Sequence, residues 1–428
     1  MGCEFPEGWE TVQVRDIAMR RGLVGGPFGS SLGTNDYVSA GVPVIRGSNL
    51  SRPPFVTDDL VFVSPEKAQS LARCLVRPGD IVVTQRGTLG QVGRVPTGSH
   101  VRWLVSQSQM ALRVDPSRVD ADFVYYSLRS PALQRQIRDS AIVTGVPHIN
   151  LGIFGDFMLL RPPLAEQQAI SSILRTLDGK IDGYRRQVTL IEDVAATVFR
   201  ARFVDCIGVE VFEENELGRM PVGWQWGSLP DLARFVNGGA FTKDANGRGR
   251  PILRIKELNG GIGDETLHTD IEVVDDRLAR DNDILFAWSG SLAAYRWSGP
   301  ESVINQHIFK VIPDGWPLWF VYGWLQEHMS DFRAIARDKA TTMGHIQRHH
   351  LSEAVVPLPD AEAIANADDV LDSLDGHRAM LVREAATLGE IRDALLPKLI
   401  SGEIRVPDTT DPEEVIGPAA EALVEAGS

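Results

Sequence analysis

Apolar residues recur every seven positions along the segment from Pro162 to Phe203. Its prolines are confined to the first two positions, which a helix tolerates because its first N–H groups need no partner within the helix. The apolar residues form two columns, which are Ile170, Leu177, Tyr184, Ile191, Val198 and Leu174, Ile181, Val188, Ala195. The pattern predicts a long helix over residues 161–205 that buries one narrow seam against another helix.

A second segment repeats this pattern 197 positions later. Its main apolar column keeps strict intervals of seven: Leu374, Leu381, Leu388 and Leu395. We therefore predict a second long helix over residues 359–402. One such segment alone would also suit an ordinary amphipathic core helix, whereas two at a constant offset favour a coiled coil formed within the chain.

The repeat extends over nearly the whole chain, because Gly25–Ser30 is echoed by Gly238–Lys243 and Gly79–Val83 by Asn282–Phe286. Each half therefore consists of a mixed α/β domain, residues 1–160 or 206–358, followed by a long helix. We expect the acidic tail, residues 403–428, to be disordered. Within the domains the patterns predict strands at Ile81–Thr84, Ser106–Val114, Ile284–Ala287 and Val303–Ile312, and helices at Phe123–Arg138 and Leu318–Arg337.

Composition narrows the class of protein. Hydrophobic residues make up 43% of the chain, but no run of about eighteen apolar residues occurs, so we expect no membrane span. No basic, apolar leader is present, and three isolated cysteines form no disulfide or zinc pattern, so we expect a cytoplasmic protein. The net charge of −14 lies mainly in the second half and disfavours strong non-specific DNA binding by this chain alone.

Motifs typical of enzymes are missing from the sequence. It contains no GxxxxGK[ST] loop, no HExxH pair, no zinc-spaced Cys/His cluster and no amino-methyltransferase motif. Gly29–Gly33 matches the GxSxG spacing, but it lacks the helical pattern that follows the serine in a nucleophile elbow. Gly29–Gly33 has the glycines of a cofactor loop but not their spacing, and no helical pattern follows it. We therefore expect no catalytic residue and no metal site in this chain.

Four polar loops occur at matching places in the two halves, and their side chains are of the types that contact base edges and phosphates. Solvated turns would explain any one of them, but the repeated placement favours the group as DNA-binding. The candidates in the first half are Ser30, Arg46, Ser48, Asn49, Gln85, Arg86, Thr88, Thr144, His148 and Asn150. Those in the second half are Lys243, Arg254, Lys256, Ser289, Ser291, Arg296, Thr341, Thr342, His345, Gln347 and Arg348.

A series of motifs follows the order and the duplication of a known family. They are Pro6–Trp9 with its echo Pro221–Trp224, Gly26–Ser30, Gly79–Ile81, Pro162–Gln168, Phe199–Asp205 and Leu395–Ile404. In these motifs the chain resembles the specificity subunit of type I restriction–modification systems over residues 5–405. It departs from the family pattern where the second long segment begins, since Ile364 and Ala365 stand at the counterparts of Gln167 and Gln168.

The resemblance implies two target-recognition domains, related by a pseudo-two-fold axis and separated by an antiparallel coiled coil of the two long helices. Each domain would recognise one half of a bipartite, asymmetric double-stranded DNA site. Methyltransferase subunits, two of them, would dock beside the helices, where we single out Glu166, Gln167 and Gln168, and restriction subunits could join. This chain would bind no cofactor, because S-adenosylmethionine, Mg and ATP would bind the partner subunits.

Two other hypotheses remain open at the level of sequence. A coiled-coil protein–protein adaptor without DNA binding would also use two spaced domains. A stand-alone nuclease or methyltransferase is disfavoured by the missing catalytic motifs.

Overall fold

The structure, a computed structural model, describes residues 6–51, 54–55, 57, 59–98, 100–143, 145–263, 265–338, 344–407 and 410–427. The chain divides into two units, the first formed by residues 1–181 with 387–428 and the second by residues 182–386. Each unit thus contains one half of the repeat and a portion of each long helix. Among the described residues, no helix is long and apolar enough to cross a membrane.

The first half of the chain alternates short strands and helices before one long helix. In chain order these are β1 (Glu10–Gln13), α1 (Val14–Ile17), β2 (Ala18–Gly25), β3 (Tyr37–Val38), β4 (Val42–Ile45), β5 (Val61–Val63), α2 (Pro65–Ser70), β6 (Leu75–Val76), β7 (Ile81–Thr84), β8 (Val92–Arg94), β9 (Trp103–Val105), β10 (Gln109–Val114), α3 (Ala121–Arg129), α4 (Pro131–Asp139), α5 (Leu151–Asp156), β11 (Met158–Arg161) and α6 (Leu164–Phe199).

A π-helical turn at Arg200–Val204 ends the first long helix. The second half continues with β12 (Phe212–Asn215), β13 (Gly218–Pro221), β14 (Gln225–Ser228), α7 (Leu229–Leu232), β15 (Ala233–Asn237), β16 (Arg250–Leu253), α8 (Ile255–Gly260), β17 (His268–Thr269), β18 (Leu278–Ala279), β19 (Ile284–Ala287), β20 (Ala293–Arg296), β21 (Ser302–Ile304), β22 (Ile308–Pro313), α9 (Leu318–Glu327), α10 (Met329–Asp338), α11 (Arg348–Glu353), β23 (Val355–Leu358), α12 (Ala361–Ser401) and α13 (Pro412–Gly427).

The two units share one sheet topology. An antiparallel sheet has the order β2-β10-β7-β8 in the first unit and β15-β22-β19-β20 in the second. A second sheet, β3-β5-β4-β9-β6 or β17-β16-β21-β18, contains one parallel pair in each unit, β4–β9 and β16–β21. The mixed α/β class is therefore confirmed, and the repeat found in the sequence is also a repeat of topology.

The Gly-Asp-Ile motif forms the turn that opens a buried strand. Asp80 Oδ2 accepts a hydrogen bond from Arg77 N at 2.9 Å, and its carboxylate pairs with Arg113 at 2.5 Å. Asp283 repeats both contacts, with Arg280 N at 2.7 Å and with a lysine. The strands that follow, β7 and β19, are buried at all four positions because each packs one face into the main core of its unit and the other face into a second apolar cluster.

Three predicted elements are divided in the structure. The helix predicted at Phe123–Arg138 breaks into α3 and α4, because Ser130 caps the second helix and Pro131 cannot continue the first. The helix predicted at Leu318–Arg337 likewise breaks at His328. The strand predicted at Val303–Ile312 is in fact β21 and β22, which belong to different sheets.

In the first unit, the seam of the first long helix is buried. Ile170, Leu174 and Leu177 are fully buried in one cluster with Leu395 and Leu399 of α12. Burial of each such side chain contributes roughly 1.5–3 kcal/mol. The opening of α6 and the closing turns of α12 thus share the core of the first domain.

In the second unit, the complementary portions of both helices are packed into one core. Phe199, near the end of α6, lies in a cluster with Leu371 of α12 and with Phe320 of α9. The Phe199 and Phe320 ring centroids are 6.0 Å apart. The second domain is thereby joined to the last turns of one long helix and to the first turns of the other.

The prediction of a disordered tail was wrong from Pro412 onward. Residues Pro412–Gly427 form α13, with Glu413 and Glu414 in the first turn, where carboxylates favour a helix. Ile416 is only 4% exposed and packs into the core of the first unit with Val415 and Ala419. A few apolar residues at helical spacing suffice for docking, which the acidic composition of the tail conceals.

Candidate nucleic-acid interface

The third and fourth predicted loops meet at the same place in each unit. A β-bridge joins Arg86 to His148 in the first unit, and another joins Ser289 to His345 in the second. In each unit the bridge connects the loop after the buried strand β7 or β19 with the loop before the short helix α5 or α11. The two loops therefore form one continuous surface twice in the chain.

In the first unit, Gln107 connects the first predicted loop to this surface. Gln85 Nε2 donates to Gln107 O at 2.8 Å. Gln107 Nε2 in turn donates to Leu32 O at 3.0 Å and to Gly29 O. We call the connected segments the first loop surface, residues 26–32, 85–88, 107 and 145–150.

The second unit keeps the backbone arrangement but changes the side chains. Trp288 stands where the first unit has Gln85, and its Nε1 donates to Asn237 Oδ1 at 3.0 Å. Its ring lies 5.4 Å from that of His307. Gly239 N donates to Ile304 O at 3.0 Å and holds the first loop against this sheet. The second loop surface consists of residues 239–243, 288–291 and 344–348.

Most of the candidate side chains are exposed to solvent. Gln85 and His148 are half-buried, and Arg86 has no ion-pair partner among the described residues. The guanidinium of Arg86 is thus available to a base edge or a phosphate. The exposed candidates are Ser30, Ser48, Arg86, Thr88, Asn150, Lys243, Lys256, Ser291, His345, Gln347 and Arg348.

The second predicted loop is built around internal contacts. Asn49 is fully buried, and its Oδ1 accepts from Arg46 N at 2.9 Å. Glu257 does the same for Arg254 N at 3.0 Å. The expected DNA contact by Asn49 is therefore not supported, because Asn49 and Glu257 are equivalent caps of one backbone turn rather than two side chains that recognise different bases.

The two arginines of this loop are also paired within the protein. Arg46 Nη2 donates to Asp59 Oδ2 at 2.6 Å, and Arg254 donates to both oxygens of Glu257. Burial alone would raise the pKa of Glu257, but the hydrogen bonds from Arg254 outweigh it and hold that pKa below its ordinary value. To contact DNA, either arginine would have to share its guanidinium between the DNA and the carboxylate with which it is already paired.

Two further candidates are buried, contrary to expectation. The Arg296 side chain is 3% exposed and donates to Asp375 on α12 at 2.8 Å. Ser289 is also buried. Neither side chain reaches the surface, so the structure does not support their predicted DNA contact. Thr144, Thr341 and Thr342 lie outside the described residues.

Two of the three residues expected to dock a methyltransferase instead form contacts within the first unit. Glu166 accepts from Trp9 Nε1 at 3.0 Å and pairs with Arg405 at 2.7 Å. Gln167 is fully buried, and its side chain bonds Asp120 N at 2.8 Å and Pro162 O at 2.7 Å. Of the three predicted docking residues, only Gln168 is exposed.

The structure adds two basic residues that sequence analysis missed. Arg333 and Arg337 are exposed one turn apart on α10 and line a hollow beside Ser291 of the second loop surface. Arg333 Nε donates to Leu292 O at 3.0 Å, which fixes it near the third loop. Their spacing of four residues in a predicted helix was visible in the sequence, but nothing in the sequence placed this helix beside a loop.

The described residues hold one cluster of metal-ligand types, His349, His350 and Glu353. His350 Nδ1 accepts from Gln347 N at 2.9 Å, so the imidazole proton resides on Nε2. A metal ion needs a lone pair at that nitrogen. The donor set therefore does not suit a metal, and His350 acts as a cap of α11.

Comparison with known proteins gives consistent matches over most of the chain. A sequence model of the type I restriction modification DNA specificity domain matches residues 6–192 and again residues 221–379. The chain is 22% identical to the type I restriction enzyme MjaIX specificity subunit of Methanocaldococcus jannaschii, over 94% of this chain and 95% of that protein. It is 22% identical to the type I restriction enzyme EcoKI specificity subunit of Escherichia coli, over 94% and 90%.

A solved structure shares the fold. The chain is similar to the S subunit of a type I restriction–modification system from M. genitalium, with a TM-score of 0.52 and 15% identity over 96% of this chain and 98% of that one. At this identity the match supports the architecture alone. The two matched sequence segments each begin at a Pro-x-Gly-Trp motif and contain one loop surface.

Proposed function

Because this chain belongs to the family of type I restriction modification DNA specificity domains, we propose that it gives a restriction–modification complex its DNA sequence specificity. Each unit recognises one half of a bipartite, asymmetric double-stranded DNA site. The duplicated loop surface carries this proposal, since one backbone arrangement presents different side chains in the two units. Arg86 is exposed in the first unit where the buried Ser289 occurs in the second, and Gln85 is replaced by Trp288.

The chemistry of the loop surfaces fits a duplex. Arg86 is exposed in the first unit, and Lys243 and Arg348 are exposed in the second. Arginine and lysine contact phosphates and guanine edges, while glutamine and histidine reach base edges in the major groove. Exposed cations at these loops also favour DNA over the adaptor hypothesis, although the chain as a whole is acidic.

We further propose that the two long helices form an antiparallel coiled coil. Asp178 of α6 pairs with Arg392 of α12 at 2.9 Å in the first unit. Glu192 pairs with Arg378 at 4.0 Å in the second unit. Moving 14 residues forward on α6 corresponds to moving 14 back on α12, as continuous antiparallel pairing requires.

The remaining parts of the proposal concern partners and chemistry. Two methyltransferase subunits dock beside the helices, with Gln168 as the exposed candidate contact, and they supply S-adenosylmethionine chemistry on adenines. A restriction subunit brings ATP and Mg to the assembled complex. This chain then acts without a catalytic residue or cofactor of its own, in the cytoplasm.

Sequencing of modified adenines in the host, with and without this gene, tests the proposal directly. We expect one bipartite motif to lose its methylation when the gene is deleted. The complex of this chain with its methyltransferase subunits should then bind a duplex carrying that motif, in a salt-dependent manner, more tightly than a scrambled duplex. Methylation that persists after deletion, or equal affinity for both duplexes, would reject the proposal.

A further inference from the structure

Phe28 is the most exposed large hydrophobic side chain among the described residues, at 91%. It lies in the first loop surface, followed by Gly29, Ser30 and Ser31, which are exposed as well. Single exposed apolar residues are common on protein surfaces and need no explanation by themselves. This one differs because hydrogen bonds hold the backbone on both sides of it and because the residues that follow it, Gly29–Ser31, are small or polar.

Backbone constraints on both sides fix the position of Phe28. Gly26 packs so closely that a Cβ atom there would lie 2.0 Å from Ser106 O, and Gly26 N donates to Gln109 O at 3.1 Å. Pro27, which is buried, lies between Gly26 and Phe28, and its ring fixes its own φ angle. The backbone that carries the ring is therefore held in place before any partner binds, which lowers the entropic cost of ordering the loop on binding.

The segment after Phe28 is clamped by the same glutamine that connects the loops. Gln107 Nε2 donates to Gly29 O and to Leu32 O. Ser31 N closes a turn onto Phe28 O at 3.2 Å. Through Gln107 the loop is continuous with Gln85 and so with the DNA-binding candidates of the third and fourth loops.

The surroundings of Phe28 suit a nucleic acid better than a protein. Residues 25–35 contain no carboxylate, which would repel phosphates, and they are mostly glycine, serine and threonine. Hot spots for protein partners cluster with other anchors in well-packed pockets, whereas the residues that follow Phe28, Gly29–Ser31, offer no second large side chain. A lone aromatic ring on a neutral platform that offers many hydrogen-bond donors is the arrangement that stacks on bases.

The second unit shows that the fold does not require this exposure. Its equivalent residue, Phe241, is 9% exposed and packs with Ile252 and Val303. Phe241 lies inside the turn Phe241–Asp244, whereas Phe28 precedes its turn, Gly29–Ser31, with extended backbone. The same loop can bury its phenylalanine, so the outward position of Phe28 is a property of the first unit alone.

We propose that Phe28 inserts between two base pairs of the half-site bound by the first unit. Apolar wedges of this kind unstack a base step and kink the duplex. Pyrimidine–purine steps are the easiest to unstack, so the first half-site should contain such a step even where no side chain contacts its base edges. This inference rests on the proposed function, because it requires that the first unit binds duplex DNA.

The test uses the complex of this chain with its methyltransferase subunits and a duplex carrying the motif found by adenine sequencing. 2-Aminopurine replaces one base at a time across the first half-site, and its fluorescence rises where a base is unstacked. Apart from the methylated adenine, which a methyltransferase flips by itself, we expect the rise at one step with the wild-type complex and its loss with Phe28→Ala. The affinity of Phe28→Ala should fall roughly 5- to 150-fold, the range for loss of one base–aromatic stack.

Three further variants serve as controls. Phe28→Trp keeps an aromatic ring and should retain the affinity. Gln107→Ala leaves the ring but frees the loop, and should weaken binding less than Phe28→Ala. Val101→Ala removes an apolar side chain that is 75% exposed outside the loop surface, and should bind as the wild type does.

The outcomes separate this inference from the proposed function. Unchanged affinity and fluorescence for Phe28→Ala, with specific binding by the wild type, would overturn the inference alone. Failure of Phe28→Ala to assemble with the methyltransferase subunits, measured by size-exclusion chromatography, would also overturn it and assign Phe28 to a protein contact. If the wild-type complex does not discriminate between duplexes, the proposed function itself fails.

Discussion

At the scale of single residues, the two long helices carry an aspartate at equivalent positions. Each aspartate bonds to a residue of the domain that precedes its helix. Asp178 accepts from Tyr126 Oη at 2.9 Å and pairs with Arg392, while Asp375 pairs with Arg296. The sequence repeat aligned these aspartates but could not assign them a role. Their partners come from strands and helices that only the tertiary structure brings within reach.

We expect Asp375→Asn to destabilise the second unit by about 3–5 kcal/mol, because it removes the carboxylate that pairs with the buried Arg296. Burial alone would raise the pKa of Asp375, but the hydrogen bond from Arg296 and the charges of Arg296 and Arg378 leave that pKa below 3.8. The contribution of the wild-type carboxylate is thus present above pH 3.8 and is lost as the pH falls through the lower folded value.

Urea unfolding followed by tryptophan fluorescence can measure this loss, since seven of the nine tryptophans belong to the second unit. Asp178→Asn is the matched control, which should affect the first unit and leave the main fluorescence transition in place. The stability difference between wild type and Asp375→Asn should shrink below pH 3.8. A difference that does not depend on pH would contradict this assignment.

Arg86→Ala should weaken recognition of the first half-site only, by about 1–3 kcal/mol if the arginine contacts a guanine with two hydrogen bonds. Binding of duplexes in which each half-site is altered in turn measures the effect. Arg73→Ala is the control, because it removes the same charge from an exposed arginine outside the loop surface. Equal weakening at both half-sites would indicate a folding defect rather than a lost contact.

At the scale of elements, periodicity predicted what depends on local pattern. The long helices begin and end within a few residues of their predicted bounds, at Leu164–Phe199 and Ala361–Ser401. Periodicity could not show which loop side chains the fold itself uses. Asn49 and Arg296 are of residue types that contact DNA. Asn49 nevertheless caps a turn, and Arg296 pairs with a helix from a distant part of the chain.

Helix α13 is the element whose role can be tested most simply. Ile416→Asp places a charge in the core of the first unit and should release the helix, at a cost of at least about 2 kcal/mol to its docking. Hydrogen exchange of the amides of residues 412–427 measures the change as lost protection. Glu421→Ala, on the exposed side and outside the first turn, should exchange as the wild type does. Unchanged protection in Ile416→Asp would show that α13 does not depend on this contact.

At the scale of the whole molecule, the proposed coiled coil should set the distance between the two half-sites. Insertion of one heptad after Arg185 and another after Ala385 keeps the register of the Asp178–Arg392 and Glu192–Arg378 pairs. It adds about 10 Å of helix, or roughly three base pairs. Sequencing of modified adenines should therefore reveal a longer spacer between unchanged half-sites, whereas an unchanged spacer would refute the role of the helices as a ruler.

The first unit also has a consequence for biosynthesis. Glu166 and Arg405, which help to close it, lie 239 residues apart in the chain. Its core therefore stays incomplete on the ribosome until the last segment has been translated, whereas the second unit is one continuous stretch that can fold earlier. A nascent chain that stalls before Thr387 would expose the apolar face of Ile170 and Leu174, and such chains should be substrates for chaperones and proteases.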